Sequence, residues 1–234
     1  YRHSSAQLTM AQNVELATVD LKGEFLVIIG DDDFVHPNII EILSAIDTEG
    51  KDCFVYDRGI YYWPDVVFQK ESKFFRPSSL QTMRHPSFKL HEYDSMTALR
   101  AVAQAGCLNL GNLPCAYHGV LRVSISEDIR ERFGKFILGP SPDMAMAIAI
   151  ALTIKSYHWI DVPLTTPGAS YISAAGMGRR GAHSASLDAL PPSMPASLKD
   201  DWVVGVPRIW NGFTLYAHTA VRVSQMFGYE LAIN

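Results

Sequence analysis

The sequence has only three cysteines and no long apolar run. The first feature argues against a disulfide or zinc framework, and the second against a membrane-spanning protein. Cys53, Cys107 and Cys115 are odd in number and lack metal-ligand spacing, so we interpret them as buried, reduced thiols of a cytosolic chain. The longest apolar stretch, 144–154, is too short to span a bilayer, which excludes a transmembrane segment. The polar opening at Tyr1 is not a signal peptide and has no initiator Met.

Basic runs are also missing. The formal net charge of the 234 residues is −4, which argues against nucleic acid as the main partner. We therefore expect a cytoplasmic protein, either free or peripheral at the inner face of a membrane. Whether it forms a homo-oligomer stays open.

The most informative stretch that is present joins an apolar run to three carboxylates. The run, 25–29, has the length and composition of a strand buried on both faces of a parallel sheet. Gly30 follows, and then Asp31, Asp32 and Asp33 stand where open α/β sheets bind ligands. Adjacent carboxylates repel one another, so the triplet predicts a divalent cation with oxygen ligands.

The triplet also has a simpler interpretation. Asp residues favour turns and helix starts, and Pro37 introduces an apolar-periodic segment that predicts a helix. One Asp can therefore serve only as a cap.

The remaining segments alternate between helix and strand patterns. We predict an α/β fold with an open, mostly parallel sheet and flanking helices over residues 1–184. Helices are predicted from Ser4 or Ser5 to Asp20 and from 125 to 133, the latter capped by Ser124. Residues 185–234 are predicted to form a proline-rich linker and a small helical appendage over 209–226.

A second carboxylate lies at a predicted helix start. Ser141, Pro142 and Asp143 fit the N-cap and the first two positions of a strongly apolar helix. Asp143 either complements the helix dipole or acts as a general base held on a rigid helix. Spacing alone favours the dipole interpretation.

A glycine-rich segment begins at Gly168 and is predicted to be a mobile loop. It carries Arg179, Arg180 and His183, which either clamp a diphosphate or remain solvated. His118, in contrast, is interpreted as an interior histidine whose hydrogen bonds are satisfied.

The order of these motifs resembles that of the family 2 glycosyltransferases. A helix with Asn13 precedes residues 23–33 and Pro37, and Phe133-Gly134 and 141–143 follow about a hundred residues later. The resemblance covers roughly residues 13–184 and implies a glycosyltransferase A-type, Rossmann-like fold. Many members have Glu-Asp where this chain has Pro142-Asp143.

The resemblance implies a metal-dependent transfer of a sugar from a nucleoside-diphosphate sugar to a carbohydrate or other hydroxyl acceptor. Asp33 would be the principal ligand of Mn²⁺ or Mg²⁺, and Asp31 would share the metal or, with Asp32, face the ribose. Asp143 takes the position of the base that deprotonates the acceptor during an inverting attack.

Further residues follow by position alone. Arg179 and Arg180 fall where members carry a flexible loop over the diphosphate, with His183 as a further metal ligand, and Asn13 is assigned to donor binding. Members also have a strand and a helix upstream of the metal motif, which form much of the nucleobase pocket. This chain starts at about the next helix, so we expect it to be weakly active or inactive alone.

Two other functions compete. The pattern Asp31-x-Asp33 after an apolar strand also resembles the haloacid-dehalogenase phosphatases, with Asp31 as nucleophile and Asp33 as acid. No later Asp-Asp motif follows a strand, which disfavours that interpretation. The third possibility is a non-catalytic fragment in which the triplet has a structural role.

Overall fold

A computed structural model describes residues 4–46, 50–82 and 86–233. These residues form the helices α1 (Met10–Ala17), α2 (Ile39–Ala45), α3 (Ser95–Gln104), α4 (Val123–Phe133), α5 (Pro142–Thr153), α6 (Ala174–Arg179) and α7 (Gly212–Met226). The strands are β1 (Phe25–Leu26), β2 (Phe34–Val35), β3 (Cys53–Tyr56), β4 (Ile60–Tyr62), β5 (Ser79–Gln81), β6 (Leu90–Asp94), β7 (Val120–Arg122), β8 (Ser156–Ile160), β9 (Thr165–Thr166), β10 (Gly168–Ala169), β11 (Ser184–Ser186) and β12 (Ile209–Asn211). Short 3₁₀ turns cover Leu187–Ala189 and Ala196–Lys199.

The main sheet has five strands in the order β1-β7-β3-β8-β6. Strands β3 and β8 are parallel, whereas β1 with β7, β3 with β7 and β6 with β8 are antiparallel. The α/β class is thus confirmed, but the prediction of a mostly parallel sheet is wrong. Short apolar strands look alike in either orientation, because orientation is set by the connections between them.

The predicted strand over 25–29 is shorter than expected. Only Phe25 and Leu26 pair as β1, antiparallel to β7. Ile28 makes an isolated parallel bridge to Tyr117, accepting the N–H of His118 at 2.9 Å. The switch of partner after Leu26 turns the chain so that Gly30 and the triplet lie beside the segment around Tyr117.

The core centres on α5, whose residues 144–151 are all buried. This confirms the prediction of a helix that is apolar on every side. Helices α3, α4 and α7 pack against it, with Leu99, Ile129 and Ala220 among the contributing side chains. Full burial of an aliphatic side chain stabilises a fold by about 1.5–3 kcal/mol, so this cluster is the main source of stability.

Helix α7 belongs to the same hydrophobic cluster as α5 through Ala217, Ala220 and Val223. The C-terminal segment therefore packs onto the core, and the division at residue 184 stays a prediction. Within the described chain, no helix combines the length and apolarity needed to cross a bilayer. The three cysteines are buried and free, as predicted.

Two helix starts differ from prediction. Helix α1 begins at Met10, because Thr9 and Gln12 form a reciprocal capping box, rather than at Ser4 or Ser5. Helix α4 begins directly after β7, so Arg122 rather than Ser124 is its N-cap. It ends, as predicted, at Gly134, which has a φ of 76°.

The half-buried carboxylate of Glu15 ties α1 to the segment that leads into α5. Oε2 of Glu15 accepts the backbone N–H groups of Phe136 and Ile137 at 2.9 and 2.8 Å. Its Oε1 receives the Arg130 guanidinium at 3.1 Å. These contacts fix the approach to Ser141 and therefore the start of α5.

The segment predicted to be a mobile loop has regular structure. Strand β10 pairs with β4, helix α6 is capped by Ser173, and β11 pairs with β12. Gly176 lies against the carbonyl of Ser170, where an added Cβ would be 1.7 Å from the oxygen. The glycines here permit close packing, which composition alone does not distinguish from mobility.

Candidate active site

Asp33 is held by three nitrogen donors. Its Oδ1 accepts the N–H of Gly168 at 2.6 Å, and its Oδ2 accepts the N–H of Gly30. Nε2 of His118 lies 3.0 Å from Oδ2, and both side chains are only 3% exposed. Burial by itself would raise the pKa of Asp33, but the hydrogen bonds from His118, Gly168 and Gly30 hold it below its usual 3.8.

A chain of hydrogen bonds continues behind His118. Its Nδ1 lies 2.8 Å from Oγ1 of Thr165, which in turn lies 3.0 Å from the hydroxyl of Tyr56. Because a carboxylate only accepts, Nε2–H of His118 donates to Asp33, while Nδ1 pairs with the Thr165 hydroxyl. Burial raises the pKa of Tyr56, so its hydroxyl remains a donor at the end of the chain. The interior role predicted for His118 is confirmed.

Asp31 and Asp32 are more accessible than Asp33. Asp31 is exposed and Asp32 is half-buried. Oδ2 of Asp32 accepts the N–H of Ser170 at 2.9 Å, and its carbonyl accepts Nε1–H of Trp63 at 2.9 Å. At Gly168 an added Cβ would stand 1.8 Å from the Asp32 carbonyl oxygen, so only glycine fits beside the triplet.

Asp143 sits at the start of α5 and receives three hydrogen bonds. The hydroxyl of Ser141 donates to Oδ1 at 2.5 Å, and the N–H of Met144 donates to the same oxygen at 2.9 Å. The hydroxyl of Tyr216 in α7 donates to Oδ2. Burial, together with the charge of Asp143, raises the pKa of Tyr216 far above its usual range, so this hydroxyl stays protonated. Ser141 is the N-cap residue, but its side chain binds Asp143 and not a backbone N–H of the helix.

Tyr117 connects the triplet electrostatically with Asp143. Burial raises the pKa of its hydroxyl, and the negative charges of Asp33, Asp143 and Asp32 raise it further. The hydroxyl oxygen lies 3.1 Å from the position of a Cβ added at Gly30. The two acidic groups predicted from distant parts of the sequence therefore act on one side chain.

An arginine adds positive charge to this region. The charge of Arg58 opposes the upward pKa shifts that burial causes at Cys115 and Tyr216. Asp143 acts on the same two groups with the opposite sign. Arg58 itself is exposed.

The three residues of the predicted clamp make separate local contacts. The guanidinium carbon of Arg179 lies 5.4 Å from the ring centroids of Tyr62 and Phe75. Arg180 lies 3.9 Å from the centroid of Tyr171. Within the described residues, no hydrogen bond or ion pair joins Arg179, Arg180 or His183 to the triplet.

His183 packs edge-on against Trp210, with 4.8 Å between ring centroids, and burial lowers its pKa. Among the described residues, no group of three His, Cys, Asp or Glu side chains is arranged to hold a metal ion. The ligand set of Asp33, Asp31 and His183 therefore stays a prediction. Asn13 is exposed on α1.

Sequence reasoning missed the residues that support the two carboxylates. Thr165 and Tyr56 lie behind His118, while Tyr216 comes from a helix interpreted as an appendage. One local feature of the sequence did point to this support: Tyr117 and His118 place two polar rings inside an apolar segment.

The chain matches no protein-family model, and comparison with curated proteins returns no match.

Proposed function

We propose that this chain is the catalytic part of a metal-dependent inverting glycosyltransferase with a glycosyltransferase A-type fold. The observation that carries the proposal is that Oδ1 of Asp32, Oδ2 of Asp33 and the Tyr117 hydroxyl all lie within 3.4 Å of a Cβ added at Gly30, while the charge of Asp143 also raises the pKa of Tyr117. Sugar transfer from an activated donor needs one carboxylate that holds the metal ion at the leaving diphosphate. It needs a second carboxylate that takes the proton of the acceptor hydroxyl. The mixed α/β sheet is compatible with this fold.

The carboxylates suit a metal that is shared with a substrate. Mg²⁺ and related ions are commonly bound by one or two carboxylates together with substrate phosphates, so no complete protein cage is needed. The exposed Asp31 and the half-buried Asp32 would hold such an ion, because the Asp33 side chain is only 3% exposed and faces His118, Gly168 and Gly30. The bound ion would stabilise the negative charge of the departing diphosphate.

Asp33 then has an organising role. Its bonds to Gly30 and Gly168 close the turn that presents Asp31 and Asp32, and His118 keeps its buried charge paired. This differs from the sequence-based assignment of Asp33 as the principal ligand, which rested on the resemblance.

Asp143 serves as the base. Its carboxylate accepts the proton of the acceptor hydroxyl as that oxygen forms a bond to the anomeric carbon, while the bond to the diphosphate breaks. Ser141 and Tyr216 fix the orientation of the carboxylate. We assign the exposed Arg58, whose charge acts on Tyr216 with the opposite sign to that of Asp143, to the donor phosphates.

The phosphatase alternative does not fit the contacts of Asp33. An acid residue must carry a proton and deliver it to the leaving group. The hydrogen bonds from His118, Gly168 and Gly30 hold the pKa of Asp33 below its usual 3.8, so the carboxyl group is ionised and has no proton to deliver.

The reaction class is tested with the protein that carries this chain, at its natural length. It is incubated with Mn²⁺, with uridine, guanosine or thymidine diphosphohexoses, and with a panel of saccharide acceptors. We expect an acceptor heavier by one hexose residue together with one nucleoside diphosphate, with the reaction stopped by EDTA and restored by Mn²⁺. Hydrolysis of p-nitrophenyl phosphate without any sugar transfer would overturn the proposal.

A further inference from the structure

An aromatic cluster lies directly beside the acidic triplet. It consists of Phe34, Tyr61 and Trp63. The rings of Phe34 and Trp63 are stacked, with 5.5 Å between centroids and 17° between planes. Tyr61 stands nearly perpendicular to both, with its centroid 5.5 Å from that of Phe34 and 5.3 Å from that of Trp63.

The cluster is anchored to the triplet at several points. Phe34 directly follows Asp33, and Trp63 donates Nε1–H to the carbonyl of Asp32. Tyr61 is paired with Gly168, the residue whose N–H binds Asp33. The rings are therefore held in a fixed position relative to the carboxylates.

Core packing does not account for the cluster. None of its three residues belongs to the hydrophobic clusters formed by the described residues. Phe34 keeps 41% of its surface exposed, and the following Val35 keeps 45%. Phe34 is the first residue of β2 and stacks on Trp63, whose Nε1–H donates to the Asp32 carbonyl. Phe34 thus presents an aromatic surface next to Asp32.

The neighbouring charges restrict what can bind there. Asp31 is exposed and Asp32 half-buried, so an anionic ligand that brings no cation with it, such as an acidic peptide, would be repelled. A neutral sugar ring fits both features, because its C–H face packs on an aromatic ring while its hydroxyl groups donate to carboxylates. A purely apolar partner would leave the carboxylates facing it without donors.

We propose that Phe34, stacked on Trp63, is a binding subsite for a neutral saccharide, whose hydroxyl groups donate to carboxylate oxygens of Asp31 or Asp32 that do not hold the metal ion. As the acceptor subsite of a sugar transfer, this assignment rests on the proposed function. As a saccharide-binding surface it stands by itself.

The test measures binding without any transfer. Saturation-transfer NMR is recorded on the full chain with cellobiose, maltose, lactose and chitobiose, and separately with uridine diphosphate. We expect at least one disaccharide to give signals from its ring C–H protons. Phe34→Ala should lower them at least fivefold, and Phe34→Tyr should retain them.

Phe74→Ala is the matched control, because Phe74 is also exposed, at 56%, but lies outside the cluster. It should bind saccharide as the unaltered chain does, and circular dichroism shows whether each variant is folded. The subsite is overturned if no disaccharide binds, if Phe34→Ala binds as well as the unaltered chain, or if only the nucleotide signal depends on Phe34. Saccharide binding in a protein that transfers no sugar would support the subsite and contradict the proposed function.

Discussion

The hydroxyl of Tyr216 donates to Oδ2 of Asp143, and this single contact makes the C-terminal helix α7 part of the candidate active site. Asp143 starts α5 and Tyr216 lies one turn into α7, two helices that pack against each other in the core. The orientation of the proposed base therefore depends on packing between segments that are distant in sequence.

Tyr216→Phe removes that hydroxyl and keeps the ring. A hydrogen bond to a charged group contributes about 1.5–3 kcal/mol, so we expect kcat for sugar transfer to fall roughly 10- to 100-fold. The KM for the nucleotide sugar should stay unchanged, because the hydroxyl contacts the base and not the donor. Steady-state kinetics of the natural-length protein measure both constants. Tyr229→Phe, just beyond α7, is the control, and an equal loss there would show a general packing defect.

His118→Asn tests the pairing of the buried Asp33 carboxylate. Asn tolerates the left-handed backbone that His118 adopts, with φ 53°, so the change isolates the side chain. A hydrogen bond to a charged group contributes about 1.5–3 kcal/mol, and we expect the free energy of unfolding to fall by that order. Urea unfolding at pH 7 measures it. A loss below about 1 kcal/mol would show that Asp33 does not depend on His118.

Two glycines of the 168–181 segment give opposite expectations. At Gly168 an added Cβ meets the carbonyl oxygen of Asp32 at 1.8 Å, so Gly168→Ala must displace the triplet. At Gly178, inside α6, nothing lies within 4 Å, and alanine is the better helix former by about 1 kcal/mol. We expect Gly168→Ala to lower the melting temperature by several degrees and Gly178→Ala to leave it unchanged or raise it. Equal effects would contradict the close approach at Gly168.

The buried His218 should make the free energy of unfolding depend on pH. Burial, aided by the charge of Arg222, lowers its pKa from 6.5 to about 4, and Nδ1 accepts the N–H of Val203 at 3.2 Å. Between pH 6.5 and 4 the His218 of the unfolded chain binds a proton and the His218 of the folded chain does not. The contribution of His218 to the free energy of unfolding is therefore fully present above pH 6.5 and is lost as the pH falls through this window. Its full size is on the order of 3 kcal/mol.

The variant His218→Phe keeps a ring stacked on Trp202 but has no group that titrates. Free energies of unfolding are compared at pH 7.5 and pH 4.5. We expect the unaltered protein to lose more stability over this interval than the variant does. Identical pH dependence in both proteins would show that His218 is not the titrating group.

Local patterns were sufficient for elements whose ends are set by neighbouring residues. Gly134 ends α4 and Pro142 opens α5, as predicted. The orientation of the sheet strands was not predictable in this way, because β1 is placed by its pairing with β7.

The candidate site also contains some residues that local sequence identifies and others that only tertiary packing brings there. The sequence identified the carboxylates Asp33 and Asp143, since acidic residues after a strand and at a helix start are visible locally. It did not identify Thr165 or Tyr216, because these residues reach the carboxylates only through tertiary packing. The predicted loop over the site was misjudged because close packing and mobility both require glycine.

The most direct test of the proposed mechanism is the transfer rate of Asp143→Asn in the natural-length protein, saturated with Mn²⁺ and nucleotide sugar. The substitution keeps the size of the side chain and removes its ability to take a proton. Removal of a general base typically slows a reaction by about 10²–10⁴-fold, and we predict a loss of that size with Asp161→Asn unaffected. An Asp143→Asn enzyme that transfers sugar at the unaltered rate would contradict the account.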